Sequence, residues 1–213
     1  MFSEVSLRLV DKWNKKLHIY LGLYLLWFLW LFSLSGLLLN HPKWQFADFW
    51  PSRRQSEFVK SVQIPPEKND LNMAKSLMQQ LGISGEIEWT TTRPASDRFD
   101  FTIVRPGKII QVKTNLTNGQ ALIQDIQTNG WGLVKMAHTF TGVRAGDLNA
   151  ERDWWVTEVW SLSMDALVIG LVFMVLSSLY MWFRLKKGHI LGALILASGF
   201  LSCAFFVFGL TYL

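Results

Sequence analysis

The four histidines are the residues whose type and placement could support redox chemistry. His18 and His41 lie at the two ends of one long apolar stretch, His189 opens another, and His138 lies on the approach to a third. Imidazole is a common metal ligand and an axial ligand of haem iron. We expect His18 and His189 to meet at one face of a membrane and His41 and His138 at the other. All four are therefore candidate axial ligands of iron in one or two b-type haems.

Three apolar stretches would position these side chains, and we predict transmembrane helices over 17–40, 159–183 and 190–213. A hydrocarbon core of about 30 Å needs about 20 apolar residues in helical form. The first and third stretches are uncharged, and Asp165 is the only charged residue of the second. The first stretch is too long for a cleaved signal sequence and indicates an uncleaved anchor.

Basic residues predict the orientation of these helices. They cluster before the first stretch and between the second and third, at Arg8, Lys12, Lys15, Lys16, Arg184, Lys186 and Lys187. Because cytoplasmic loops carry an excess of lysine and arginine, segments 1–16 and 184–189 are predicted to be cytoplasmic. The long segment 41–158 is then predicted to lie outside.

Composition excludes several classes of function. The net charge of +5 follows from these flanking clusters, so it does not indicate a nucleic-acid partner. The single cysteine, Cys203, lies in an apolar stretch and rules out a disulfide in the outer segment. No glycine-rich dinucleotide motif and no phosphate-binding loop occurs, so we expect no nucleotide cofactor.

The outer segment has the pattern of a small α/β domain. Apolar residues at helical spacing predict a helix over 65–81, which ends at Gly82. Four short runs with strand character follow, at 86–92, 100–105, 109–114 and 120–126. We therefore predict one helix on a four-stranded antiparallel sheet. An amphipathic helix over about 130–141 is expected to rest on the membrane and to bring His138 to the height of His41.

Four motifs, in order along most of the chain, resemble those of PepSY-domain proteins with associated transmembrane helices. The run V-K-T-N-L-T-N-G-Q-A-L at 112–122 is similar to the closing strand-turn-strand of PepSY domains, with Asn115 at the position of the usual aspartate. The other three are H-I-Y-L-G through S-G-L-L at 18–38, A-H-T-F-T-G at 137–142 and S-S-L-Y-M-W-F-R at 177–184. The resemblance assigns the small domain to about 60–128.

This resemblance implies a function. The family includes iron-regulated proteins of the bacterial inner membrane, some of which bind haem b and reduce iron siderophores in the periplasm. It therefore implies that 41–158 is periplasmic and that the chain passes electrons to ferric iron, a siderophore or a partner redox protein. It leaves open whether the chain is itself an oxidoreductase or an electron-transfer subunit.

Simpler explanations stay open for the histidines. His18 and His189 are also explained as polar residues at the membrane surface, and His41 and His138 as packed side chains or as half of a zinc site. In an ideal helix His18 and His41 are rotated about 140° apart, so they do not share a face. Three helices enclose little volume, which indicates a homodimer or another membrane subunit. The alternative function is a haem-free accessory or regulatory subunit anchored by its helices in the lipid.

Overall fold

The computed structural model describes residues 4–67, 69–93, 97–144, 151–185 and 188–212. Within them the chain forms two compact units, one from 1–27 and 166–213 and the other from 28–165. Lys186 and Lys187, which contributed to the predicted orientation, lie outside the described residues, as do the ends of the predicted segments 1–16 and 190–213. The fold is α+β, with long apolar helices and an antiparallel sheet.

Three helices are long and apolar enough to cross a membrane. They are α1 (Glu4–Asn40), α4 (Trp155–Phe183) and α5 (His189–Tyr212). At 1.5 Å per residue even α5 is about 36 Å long, which exceeds the hydrocarbon thickness of a bilayer. α1 ends at Asn40 and α4 at Phe183, the residues at which the predicted segments also end, whereas both helices begin before the apolar stretches do.

In the first unit, α4 packs on α1 at close range. A Cβ built on Gly170 of α4 would lie 3.0 Å from Cδ1 of Leu25, whose side chain is buried. Further along, Asp11 accepts hydrogen bonds from the Tyr180 hydroxyl (2.6 Å) and from the Arg184 guanidinium (3.0 and 2.7 Å). The hydrogen bond to Asp11 raises the pKa of Arg184. By contrast, α5 buries none of its described side chains.

The second unit contains a five-stranded antiparallel sheet in the order β1-β5-β4-β3-β2. Its strands are β1 (Arg54–Ser61), β2 (Glu86–Arg93), β3 (Arg98–Arg105), β4 (Lys108–Asn115) and β5 (Gln120–Gln127). The turn from β4 to β5 places Gly119 at φ +67°, where a Cβ would meet the carbonyl oxygen of Val62 at 2.5 Å. Only glycine satisfies both requirements.

Helix α2 (Asp70–Leu81) covers one face of this sheet. The Asn69 side chain caps its first turn by accepting from the Leu71 amide at 2.8 Å, and Gly82 ends it in the left-handed region. The helix therefore begins several residues after Pro66, where the sequence pattern had placed its start. Leu77 on its apolar side is part of the buried core. The sheet contributes Ile87, Phe99, Phe101, Ile103, Val112 and Ile123 to that core.

The prediction of a four-stranded sheet is wrong, because β1 adds a fifth strand. All eight residues of β1 are exposed, and the sequence R-Q-S-E-F-V-K-S lacks the alternation of apolar and polar residues that marks a half-buried strand. It joins the sheet through backbone pairing with β5, from Arg54 opposite Gln127 to Ser61 opposite Gln120. Backbone pairing at an edge leaves little trace in side-chain pattern.

Two further elements complete the second unit. A short 3₁₀ turn (Gln45–Ala47) follows α1, and α3 (Gly130–Thr139) follows β5. Asn129 caps α3 by accepting from the Gly132 amide at 3.1 Å. Lys135 of α3 is buried and donates to the carbonyl oxygen of Ala47 at 2.9 Å, which ties α3 to the 3₁₀ turn.

Candidate functional site

His138 docks on the C-terminal part of α1. Its Nδ1 lies 2.6 Å from Oγ of Ser35, a residue whose side chain is fully buried. The Ser35 hydroxyl has one proton, and three acceptors lie within its reach: the carbonyls of Leu31 (2.7 Å) and Phe32 (3.1 Å), and Nδ1 of His138. Donation to either carbonyl makes Oγ the acceptor of His138 Nδ1–H and leaves the lone pair of the neutral imidazole on Nε2, whereas donation to His138 puts the ring proton on Nε2. Metal-binding histidines generally have a hydrogen-bond partner on the other ring nitrogen, and Ser35 is that partner in the first case.

The surroundings of this ring are aromatic. The Phe32 ring lies 5.2 Å from the imidazole, centroid to centroid, and Trp160 of α4 donates from Nε1 to the carbonyl of Phe140 at 3.2 Å. A Cβ built on Gly36 would lie 3.4 Å from Cε1 of His138, so the ring sits directly against the α1 backbone. A cavity of about 250 Å³ adjoins it, lined by Phe32, His138, Phe140, Arg152, Trp160 and Met164.

His41 does not meet His138. It lies just after the end of α1 and stacks on Trp44, with centroids 4.4 Å apart and an interplanar angle of 11°. Each ring of the expected outer pair thus has a different partner in the same unit. Among the described residues, the two imidazoles make no contact with each other, and their pairing stays a prediction.

The expected inner pair is separated in the same way. Nδ1 of His18 lies 3.1 Å from Oγ of Ser177, which is buried on α4. His189 lies at the start of α5, where its Nε2 donates to the carbonyl of Leu185 at 2.6 Å. Its ring is 6.1 Å from that of Trp182. Nε2 of His189 is therefore engaged as a donor and has no lone pair to offer a metal.

Two axial imidazoles face each other across a haem iron. In this fold the four histidines contact four different partners, namely Ser177, Leu185, Trp44 and Ser35. The cavity beside His138 is below the range of about 300–1,000 Å³ typical of pockets for drug-sized ligands, and a porphyrin is larger than most of these. Among the described residues, no group of three or more His, Cys, Asp or Glu side chains could hold a metal ion. His138 contacts the buried Ser35 hydroxyl through Nδ1 and lines this cavity.

The free edge of β1 is a second candidate site, which sequence reasoning missed. A cavity of about 250 Å³ lies between β1 and the C-terminal end of α2. Its apolar wall contains Phe58, Leu81, Ile83, Ile110 and Ile123, and its polar rim contains Lys60, Arg105, Lys108 and Asp125. Lys60 extends from the strand to the carbonyl of Leu81 at 3.4 Å. The exposed pair Phe58-Val59 within a polar run is the only sequence signal that could have indicated it.

Glu86 is another buried residue that the sequence did not reveal. It lies at the start of β2 with 4 % of its surface exposed, and its two carboxylate oxygens accept from the backbone amides of Asp153 (2.8 Å) and Trp154 (3.0 Å). These amides immediately precede α4. Asp153 also accepts from Arg144 at 2.5 Å. The sheet thereby holds the first turn of α4 through a charged cap.

Comparisons with protein-family models, with curated protein sequences and with solved structures find no match to this chain. The resemblance to PepSY-domain proteins therefore stays a prediction from the order of its motifs. The function has to be argued from the two candidate sites themselves.

Proposed function

We propose that the chain is a haem-free accessory subunit of a membrane complex, and that its sheet domain binds an extended segment of a protein partner along β1. The observation that supports this most directly is the exposure of β1. The strand pairs with β5 alone, and all eight of its residues are exposed. Its outer edge carries unpaired backbone groups, which are a template for an added strand.

The cavity beside β1 supplies the specificity that backbone pairing lacks. In the sheet Phe58 lies opposite Ile123 and faces the same side as the core, next to α2. In an added strand every second side chain would point to that side. One of these side chains would enter the apolar cavity between β1 and α2, and the basic rim favours an acidic neighbour. The partner segment is therefore extended, with an apolar residue flanked by acidic ones.

Charges on β1 restrict which strands can pair with it. Arg54, Glu57 and Lys60 interrupt the exposed strand, and charged side chains on edge strands oppose indiscriminate pairing. A partner consequently needs complementary charges as well as a free edge. This pattern favours a specific binding surface over an aggregation-prone one.

The three apolar helices provide the anchor in this proposal. The basic residues before α1 and between α4 and α5 favour an orientation with the N-terminus in the cytoplasm of a bacterial cell and the sheet domain in the periplasm. Because α5 buries no described side chain within the chain, lipid or another membrane subunit surrounds it. A protease-protection assay on inverted vesicles checks this orientation: the domain 41–158 is protected inside them.

Site-specific photocrosslinking in cells tests the partner proposal. We expect a photoreactive residue at Val59, which is 58 % exposed, to give a discrete crosslinked product. The matched control is Thr91, an exposed residue on the opposite edge strand, β2. Phe58→Asp, which puts a charge in the apolar cavity, should abolish the Val59 product. Equal products from Val59 and Thr91, or a product insensitive to Phe58→Asp, would contradict binding at β1.

Electron transfer through a b-type haem is the second candidate function, and the contact of His138 with Ser35 beside a cavity favours it. When Nδ1–H donates to Ser35 Oγ, the lone pair on Nε2 is available to iron. The second ligand and the space for a porphyrin would have to come from a second copy or from another subunit. The acceptor would then be ferric iron, a siderophore or a redox protein on the periplasmic side.

The visible spectrum of the purified protein, expressed with ample haem, separates the two candidates. A Soret band that shifts on reduction, and that weakens in His138→Ala but not in His41→Ala, supports haem ligation by His138. A featureless spectrum of the wild-type protein would remove the electron-transfer candidate. It would leave binding at β1 unaffected.

A further inference from the structure

A series of aromatic rings in contact continues from the end of α1. Consecutive ring centroids are 4.4 Å apart between His41 and Trp44, which are stacked, 5.4 Å between Trp44 and Phe46, which are tilted, and 5.7 Å between Phe46 and Trp131, which meet edge to face. We call these four residues the aromatic ladder. It joins the residue that follows α1 to the first turn of α3. All of its contacts lie within the second unit.

The last two rings of the ladder, Phe46 and Trp131, are exposed. Phe46 is 61 % exposed and Trp131 is 36 % exposed. Large aromatic side chains are normally buried in a domain core, and their exposure at one place indicates a contact surface. The surface of α1 just before the ladder is also apolar and exposed, at Leu37 and Leu39. The ladder therefore continues a surface that lipid would cover if α1 spans a bilayer.

The docking of His138 fixes the height of the ladder relative to α1. Its hydrogen-bond partner Ser35 lies six residues before His41, so, if α1 spans a bilayer, Ser35 is about 9 Å deeper in it along the α1 axis than His41. The helical segment of α3 from Trp131 to His138 is about 10 Å long, so Trp131 lies at most about 10 Å above His138. Even with α3 parallel to α1, Trp131 would therefore be no higher than about the level of His41. Its contact with Phe46 holds it close to that level.

We propose that the aromatic ladder is a second membrane contact, in which Phe46 and Trp131 insert at the headgroup boundary of the leaflet reached by the C-terminal end of α1. The inference rests on the membrane anchorage in the proposed function. The occupant of this surface is lipid, because aromatic side chains concentrate where hydrocarbon meets headgroups and the ladder lies at that height. Tryptophan suits this boundary because its indole is apolar and carries one N–H donor.

The contact would hold the sheet domain against the bilayer. Lys135 of α3 donates to the carbonyl of Ala47 in the turn that carries Phe46, so a hydrogen bond joins the two segments that carry the exposed rings. A domain held at α1 and also at the ladder cannot swing freely on its linker. The edge strand β1 would then be presented at a fixed height above the lipid.

Fluorescent labelling of the full-length protein in lipid nanodiscs tests this inference. Cys203 is the only cysteine, so Cys203→Ala gives a background for single labels. An environment-sensitive dye is attached at Phe46→Cys and, as a second variant, at Trp131→Cys. The matched control is Val59→Cys, which has the same exposure as Phe46 within a few per cent but lies on β1. Leu201→Cys on α5, 66 % exposed, reports whether the chain is in the bilayer.

We expect the labels at 46 and 131 to emit at shorter wavelength than the label at 59. Lipids with a nitroxide near the headgroup should quench the labels at 46 and 131 several-fold more strongly than the label at 59. Aqueous iodide should quench them several-fold less strongly than the label at 59. If the label at 201 is lipid-exposed while those at 46 and 131 behave like the one at 59, the ladder proposal is overturned and the anchorage stands. A water-exposed label at 201 would overturn both.

Discussion

Ser35 and His138 are 103 residues apart in the sequence, yet Oγ of the serine and Nδ1 of the histidine are 2.6 Å apart in the fold. This bond attaches α3 to α1 and engages one of the two imidazole nitrogens. The same contact fixes the height of the aromatic ladder. One buried hydroxyl therefore contributes to both the candidate metal ligand and the proposed membrane contact.

Removing the Ser35 hydroxyl should loosen α3. Ser35→Ala leaves Nδ1 of His138 without its hydrogen-bond partner and is expected to cost about 1 kcal/mol of stability, the usual net value of one hydrogen bond. Thermal unfolding in detergent, together with hydrogen exchange of the α3 amides, measures this loss. Ser33→Ala is the matched control, because Ser33 is exposed on the same helix. Equal effects of the two substitutions would show that the bond to His138 contributes nothing.

The space between Gly36 and His138 permits a graded test. A Cβ on Gly36 would be in ordinary contact with Cε1 at 3.4 Å, so Gly36→Ala should keep the dock intact. Gly36→Leu adds atoms where the ring lies and should displace it. We expect faster hydrogen exchange of the α3 amides in the leucine variant only. Faster exchange of these amides in both variants would contradict the observed position of the His138 ring.

Glu86 should stabilise the start of α4. Glu86→Ala leaves two amides without their acceptors and is expected to cost about 1–3 kcal/mol, the penalty for unsatisfied buried polar groups. Glu86→Gln retains one acceptor oxygen and should lose less. Chemical denaturation followed by tryptophan fluorescence measures the difference. Glu88→Ala, an exposed carboxylate on the same strand, is expected to be neutral, and a comparable loss there would contradict a specific cap.

Gly170 should be required for the packing of α4 on α1. Gly170→Ile forces the buried Leu25 to move and is expected to destabilise by about 1–3 kcal/mol, as overpacking typically does. Gly199→Ile is a matched control on α5, where a Cβ would meet nothing within 4 Å. Thermal unfolding in detergent compares the two variants. If Gly199→Ile were as destabilising as Gly170→Ile, the effect would come from glycine replacement as such.

Lys135 should join α3 to the 3₁₀ turn. Lys135→Met keeps the apolar stem but removes the donor to the Ala47 carbonyl, at an expected cost of about 1–3 kcal/mol. Lys113→Met on the exposed surface of β4 should change stability little. Hydrogen exchange of residues 45–47 locates the effect, which should be confined to the lysine 135 variant.

Some of this architecture could be read from the chain because its cause is local. Three uncharged or nearly uncharged apolar stretches predict long helices wherever they lie, and the helix ends at residues 40 and 183 agree with them. Strands β2 to β5 were predicted within two residues of their ends, because alternating apolar residues and turns at Pro106-Gly107 and Asn118-Gly119 act over short distances.

Other features were decided only by the tertiary structure, because they depend on residues far apart in the chain. The strand β1 has no side-chain pattern of its own and exists through backbone bonds to β5. The partners of the histidines also come from long range: Ser177 for His18 and Ser35 for His138. Residue type and spacing selected the imidazoles as candidates. Which atom each ring faces is set by how the helices and the turn pack, and packing is not encoded by spacing along one segment.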